Sequence, residues 1–283
     1  RDPRPRPDTD QSARATAPPC VPTSFIREWE HPQVARFDGT PLRTGIRAGA
    51  PGPVEVMKKV ISQMNMAEVL IGYGQTECSP VNHMTLSDDP IEKRVETVGH
   101  AVPHIEVKIV DEEGEIVPVG ERGDICSRGY AVMKGYWGDP ERTAETVDEE
   151  GWLHSGDLGV MDEDGDVAVV GRLKDMIIRG GENIYPREIE EFLFTHPKIQ
   201  DAKIVGVPDE KFGEEVCAWV QLKEGESLGE EEIRAFCKKN IAYFKVPRYI
   251  RLVTEVPMTV TGKIQKFKMR EAMIEELQKD DAA

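Results

Sequence analysis

Gly171-Arg172-Leu173-Lys174-Asp175-Met176-Ile177-Ile178-Arg179-Gly180-Gly181-Glu182-Asn183-Ile184-Tyr185-Pro186 is the stretch from which the rest of the chain can be read. A charged start passes into a short apolar run suited to a strand. The pair Gly180-Gly181 then supplies a turn, because residues without a Cβ accept positive φ freely. Pro186 opens a helix, where its missing N–H costs nothing because the first helical amides have no partners. Glu188, Glu190 and Glu191 follow and suit the positive end of the helix dipole. Strand, glycine turn and acidic helix start are what an α/β protein contains.

The chain has 283 residues, enough for one or two domains with a substantial core. Its net charge of -16 argues against nucleic acid or an anionic membrane as main partner. Five cysteines, with no C-x-x-C pair, read as reduced thiols of a cytoplasmic protein and not as a disulfide frame or zinc site. No apolar run reaches the roughly 18 residues of a transmembrane segment, and no secretory leader is apparent. Residues 1–20 hold prolines and arginines but almost nothing apolar, so they read as a disordered leader.

Outward from the opening stretch, Phe25, Ile26 and Trp29 suggest a helix before a loop, and Leu42 to Arg47 a strand. Val54 to Met64 has helical spacing; Glu68 to Gly72 reads as a strand delivering Tyr73-Gly74-Gln75-Thr76-Glu77 at its carboxyl end, where open α/β sheets place ligands. From Val98 to Tyr136 the pattern is β-rich, Glu141 to Thr146 suggests a helical turn, and a hairpin through Asp162 to Gly165 leads into Val167 to Gly171. After a boundary at Arg172 to Asp175 come a helix from Pro186, strands near Ile199 to Val207, Glu215 to Leu222 and Tyr249 to Val253, and helices at Glu230 to Asn240 and Phe267 to Leu277. The expected architecture is part of an α/β large domain at 21–171, a mixed sheet with helices plus a β-rich subdomain, followed by a small mobile α+β domain at 172–283.

Four stretches carry chemistry. In Tyr73 to Glu77 a ring can stack on a base, Gly74 allows close approach, the Thr76 hydroxyl can meet phosphate and Glu77 can hold magnesium; alone, the pentapeptide fits an ordinary strand-end turn at least as well. Asp157 follows Ser155-Gly156 at a turn between strands, where one carboxylate can accept both ribose hydroxyls; an Asx-turn is the plainer alternative. Arg172 offers a fork of donors for ribose or phosphate, or an ion pair with Asp175. Lys263, in Thr259-Val260-Thr261-Gly262-Lys263-Ile264, carries a compact charge on a long stem. His83, His100, His104 and His154 show no metal-ligand pairing, since Pro103 argues against a helix joining His100 to His104. Cys78 reads as a packed thiol.

In this order and at these separations, the four stretches resemble the shared motifs of the adenylate-forming enzymes: acyl-CoA synthetases, peptide-synthetase adenylation domains and luciferases. The wording of Gly180 to Pro186 and of Gly262 to Glu271 is most similar to fatty-acyl-CoA synthetases of the medium-chain type. The resemblance implies an ATP-dependent, AMP-forming ligase that activates a carboxylic acid and passes the acyl group to coenzyme A, with ATP, Mg²⁺ and coenzyme A as its small-molecule partners. Tyr73, Gly49, Ala50 and Pro51 would then flank the adenine, Gly74 would lie beside it, Thr76 would meet the α-phosphate and Glu77 would hold Mg²⁺. Asp157 and Arg172 would hold the ribose, Lys174 would be the hinge of the small domain, and Gly180 and Gly181 would border the pantetheine channel. Lys263 would be catalytic in adenylation, bridging carboxylate and α-phosphate.

The resemblance runs from about Val21, and a Ser/Thr/Gly-rich phosphate loop is not found before Tyr73. The expectation is therefore the latter half of a protein about twice as long. Two alternatives stay open: an enzyme loading a carrier-protein thiol, and a non-catalytic AMP-binding fragment.

Overall fold

The spacing of Val56, Met57 and Val60 puts three apolar side chains on one helical face, and that face is buried. It packs into a unit whose chain order is a β-strand, a helix and a second, parallel strand. The computed structural model describes residues 16–17, 40–49, 54–259 and 263–281, with the side chains of 280 and 281 left aside. The expected helix around Phe25 to Trp29 lies outside them. Two compact units divide between Val169 and Val170.

In the first unit, β1 (Thr44–Arg47) and β2 (Glu68–Tyr73) run parallel, Thr44 opposite Glu68 and Arg47 opposite Ile71. The crossover between them is α1 (Val54–Gln63), the connection that parallel neighbours require. β3 (His83–Met84) adds antiparallel to β2, α2 (Ile91–Glu96) follows, and β4 (His100–Ala101) adds antiparallel to β3. The result is a mixed sheet in the order β1-β2-β3-β4. A second sheet is built by β5 (Ile105–Val110), β6 (Arg122–Gly129), β7 (Leu153–Met161) and β8 (Val167–Arg172) in that order, with α3 (Pro140–Thr146) between β6 and β7. β5 with β6 and β6 with β7 are antiparallel.

The second unit begins within β8. A 3₁₀ turn, Leu173–Asp175, leads into β9 (Ile177–Arg179) and β10 (Glu182–Ile184), paired antiparallel across Gly180-Gly181. Thus the glycine turn closes a hairpin, and Glu182 to Ile184 form a strand where the sequence pattern led straight to the helix. α4 (Pro186–Phe194) does start at the proline, with Tyr185 as an extended N-cap and no side-chain cap. Arg187 and Glu191, one turn apart, pair at 2.8 Å. β11 (Ile199–Asp209), β12 (Gly213–Leu222), α5 (Glu230–Asn240), β13 (Tyr249–Leu252) and α6 (Lys266–Asp281) complete the unit.

Its five-stranded sheet has the order β10-β9-β12-β11, with β13 parallel to β12. Alternation along β11 and β12 sends Ile204, Val216, Ala218 and Val220 to one face, against Ile189 and Leu193 of α4 and Ile233 of α5. Val205, Val207, Cys217 and Trp219 go to the other, against Met269 and Met273 of α6. Both faces are covered, which is why β12 reads as the unbroken apolar run Val216 to Val220. Leu193 has no exposed surface, and Leu193→Ala would cost about 3 kcal/mol.

Candidate functional site

β2 ends at Tyr73, whose hydroxyl donates to Asp157 Oδ2 at 3.0 Å across 84 residues of chain. Burial, with the Asp157 charge beside it, pushes the Tyr73 phenol up, so the proton stays on the tyrosine. Gly74 follows in extended backbone. A Cβ there would stand 2.2 Å from the Pro80 carbonyl oxygen and 2.9 Å from Val81 Cα, so the turn closes on a backbone that only glycine admits. Below it the fully buried Cys78 accepts the Gln75 N–H on its sulfur at 3.1 Å, and burial raises its pKa. Cys78 is thus a packed thiol that pins the turn. The turn presents Thr76 to solvent, with Glu77 half-buried next to it.

The Met133 to Tyr136 segment grips Glu77 twice. The Met133 N–H donates to the Glu77 carbonyl at 2.8 Å, and the Tyr136 hydroxyl donates to Glu77 Oε1 at 2.7 Å. Tyr136 is itself seated on α3: its N–H donates to Thr143 Oγ1 at 2.9 Å, and the Arg142 guanidinium lies 4.3 Å from its ring centroid. This leaves Glu77 Oε2 without a hydrogen bond among the described residues, an oriented acceptor of the kind a hard cation takes.

Asp157 sits inside β7 and not at a turn between strands. What reads as a turn is an irregularity within the strand: the β6 to β7 register shifts between Asp124 and Cys126, and Gly156 has φ 68. Asp124 Oδ1 accepts the Gly156 N–H at 3.0 Å, and Ser155 Oγ accepts the Asp157 N–H at 3.0 Å. Asp157 is held at 7% exposure, with Tyr73 against it.

Of the remaining expected residues of the first unit, Gly49 is exposed with φ 84 just after β1; Ala50 and Pro51 lie outside the described residues. The others belong to the second unit. Arg172 ends β8, exposed; Lys174 is exposed within the 3₁₀ turn. Gly180 and Gly181, with φ 58 and 88, make the β9 to β10 turn, and the Gly180 N–H donates to the Phe212 carbonyl at 2.8 Å. A Cβ at Gly180 would come within 3.1 Å of the Phe212 ring. Arg179 lies over that ring at 4.2 Å and pairs with Glu215 through two bonds of 2.8 Å. Lys263 is exposed; its N–H donates to Thr259 Oγ1 at 3.0 Å, its carbonyl accepts the Thr259 N–H at 2.8 Å, and Met258 bridges Ile264. Val260, Thr261 and Gly262 are outside the described residues. Lys266, three residues on, pairs with Glu190 of α4 at 2.7 Å, tying the Lys263 segment to the sheet-covering helix.

Two features were missed from sequence. Tyr136 gave no signal beyond its type, since its partner lies 59 residues away. His154, read as unpaired, has Nδ1 2.9 Å from Asp124 Oδ2 and 3.4 Å from Cys126 Sγ, because β6 and β7 are neighbours. The acidic triplet Asp162, Asp164 and Asp166 already has a cation, Lys93, 2.5 Å from Asp164 and 2.6 Å from Asp166. Among the described residues no helix is long and apolar enough to cross a membrane.

Comparison with known proteins places these observations in a family. The family model described as AMP-binding enzyme matches residues 2–137, beginning inside the stretch set apart above as a leader, and that described as AMP-binding enzyme C-terminal domain matches residues 188–263. The putative acyl-CoA synthetase YngI of Bacillus subtilis is 54% identical over 269 residues, 94% of this chain and 49% of its own. The mitochondrial medium-chain acyl-CoA ligase ACSF2 of Bos taurus is 48% identical over 91% of this chain and 42% of its own. The solved structure of ATP-bound MatB from Rhodopseudomonas palustris matches with a TM-score of 0.88 at 34% identity, over 95% of this chain and 53% of that one. The chain thus spans about half the length of the relatives it matches.

Proposed function

This chain belongs to the AMP-binding enzyme family, and from that premise we propose that it carries the ribose-holding, thiol-accepting and lysine-bearing part of an AMP-forming acyl-CoA synthetase for fatty acids. In the first half-reaction a carboxylate oxygen bonds to the α-phosphorus of ATP and pyrophosphate leaves. In the second the coenzyme A sulfur, losing its proton, bonds to the acyl carbon and AMP leaves. Relatives named acyl-CoA synthetase and medium-chain acyl-CoA ligase support this substrate class.

The observation that carries the reading is the Tyr73 to Asp157 hydrogen bond. It fixes the orientation of a buried carboxylate, the acceptor to which the ribose hydroxyls would donate. Tyr73 would meanwhile present the edge of a half-buried ring to the adenine. The exposed Thr76 hydroxyl would donate to the α-phosphate. Glu77, with Oε1 engaged by Tyr136 and Oε2 open, fits a hard cation; Mg²⁺ bound there would neutralise phosphate charge.

In the second unit, Lys263 is proposed to donate to the acyl carboxylate and α-phosphate during adenylation, stabilising the charge that develops there. Its loop is held by Thr259 and by the Lys266 to Glu190 pair. Lys174 is proposed as the hinge and Arg172 as a second ribose contact. The Gly180-Gly181 turn is the proposed border of the pantetheine path, its lack of Cβ atoms letting a thin ligand pass.

The test supplies the intermediate, so that ATP is not needed: octanoyl-AMP, benzoyl-AMP and coenzyme A are given to the chain. Octanoyl-CoA formation in preference to benzoyl-CoA is expected. A folded chain that makes neither thioester, or only the benzoyl one, overturns the reading.

A further inference from the structure

Asp124 and Cys126 lie on β6 and His154 on the adjacent β7, and the register shift between Asp124 and Cys126 turns all three side chains toward one point. Their donor atoms form a triangle: His154 Nδ1 to Asp124 Oδ2 2.9 Å, Nδ1 to Cys126 Sγ 3.4 Å, and Sγ to Oδ2 3.7 Å. Donors bound at about 2.0 to 2.3 Å to a tetrahedral ion stand about 3.3 to 3.5 Å from one another. We propose that Asp124, Cys126 and His154 bind a divalent cation of the zinc class, three protein donors with a fourth position for water.

Within this cluster Asp124 Oδ2 is shared between the imidazole and the thiol. If Nδ1–H donates to Asp124, the thiol's remaining acceptor is the same carboxylate at 3.7 Å, a long contact for a buried S–H. No lysine or arginine among the described residues pairs with Asp124, unlike the acidic triplet that Lys93 fills. The surroundings also match what holds metal-ligating groups in place. His154 Nε2 lies 3.7 Å from Asp148 Oδ2, a carboxylate near the ring's far side, and Asp124 Oδ1 is fixed by the Gly156 N–H. A thiolate, an imidazole and a carboxylate together suit a borderline-soft ion and not magnesium or calcium.

Proton balance follows from the donors. Uptake of the ion releases the Cys126 thiol proton to solvent and moves the imidazole proton from Nδ1 to Nε2, toward Asp148. Because the thiol must give up its proton to ligate, binding strengthens as pH rises. Asp157 follows His154 by three residues on β7, so the bound ion would clamp the strand irregularity that sets Asp157.

Cobalt(II) titrated into the metal-free 283-residue chain tests this directly, because a cobalt-thiolate bond gives a near-ultraviolet charge-transfer band. One equivalent should produce the band, added zinc should remove it, Cys126→Ser should abolish it and His154→Ala should weaken cobalt binding by about tenfold or more. Cys126 is packed in the core and its replacement can impair folding, whereas the His154 side chain is one-third exposed, so the second variant decides the matter alone. A folded chain that gives no band, or a band of equal affinity in His154→Ala, overturns the proposal.

Discussion

The Tyr136 hydroxyl donates to Glu77 Oε1 at 2.7 Å, and this bond sets which edge of the carboxylate faces outward. Three neighbours fix Tyr136 before it can fix Glu77: Thr143, Arg142 and the Met133 contact to the Glu77 backbone. Tyr136→Phe keeps the ring and loses the donor. In an intact enzyme containing this chain, the concentration of Mg²⁺ needed for half-maximal, acid-dependent pyrophosphate release should rise by about tenfold, with the rate recovered at saturating Mg²⁺. A lower maximal rate at unchanged Mg²⁺ dependence would show that Tyr136 has no part in cation binding.

Lys263 should matter to one half-reaction. In an intact enzyme containing this chain, removing its charge with Lys263→Ala should lower acid-dependent pyrophosphate release by about a hundredfold or more, the usual size of a lost charge-stabilising donor. Conversion of supplied acyl-AMP and coenzyme A to thioester should continue at a similar rate. Equal loss of both would reassign Lys263 to a structural role.

Stability should fall on mild acidification because of His83. The side chain is fully buried, hydrogen-bonded through Nδ1 to Asn82 Oδ1, and burial, helped by His100, pushes its pKa down to about 4. The fold therefore holds the neutral form, while the unfolded chain takes up a proton near pH 6.5. Stability is intact above that value and is lost as pH falls toward 4, by about 2 kcal/mol between pH 7 and pH 5. Denaturant midpoints at the two pH values should show this loss, and His83→Gln should flatten it. An unchanged slope in the variant would place the titration elsewhere.

Local chemistry explains which elements could be read in advance. Helix α5 was legible at both ends, because its acids open it and Lys238 and Lys239 close it. The start of α4 at Pro186 follows from proline alone. Covered on both faces, β12 announces itself by Val216 to Val220. The fold class followed from the succession of strand and helix patterns taken together with the family resemblance. Strand β10 was not, since Glu182 and Asn183 are exposed and polar and owe their conformation to pairing with Arg179 and Ile178.

The candidate site divides along the same line. Residues within one motif, such as Tyr73 to Glu77, could be named from their side chains. Partnerships across the sheet could not: Tyr73 with Asp157, Tyr136 with Glu77 and His154 with Asp124 depend on register shifts and loop paths that no local spacing encodes. Asp157 was placed at a turn because Ser155-Gly156-Asp157 has turn composition, yet pairing with β6 keeps it in a strand and confines the irregularity to Gly156.

The central claim is that Asp157, oriented by Tyr73, receives the ribose of an adenosine monophosphate. Equilibrium binding to the 283-residue chain, comparing AMP with the analogue lacking both ribose hydroxyls, tests it most directly. The account predicts that AMP binds and that the analogue binds about tenfold or more weakly, as expected for lost hydrogen bonds to a carboxylate. Asp157→Asn should weaken AMP similarly and erase the difference between the two. A folded chain that ignores AMP, or binds both nucleotides equally well, would contradict the account.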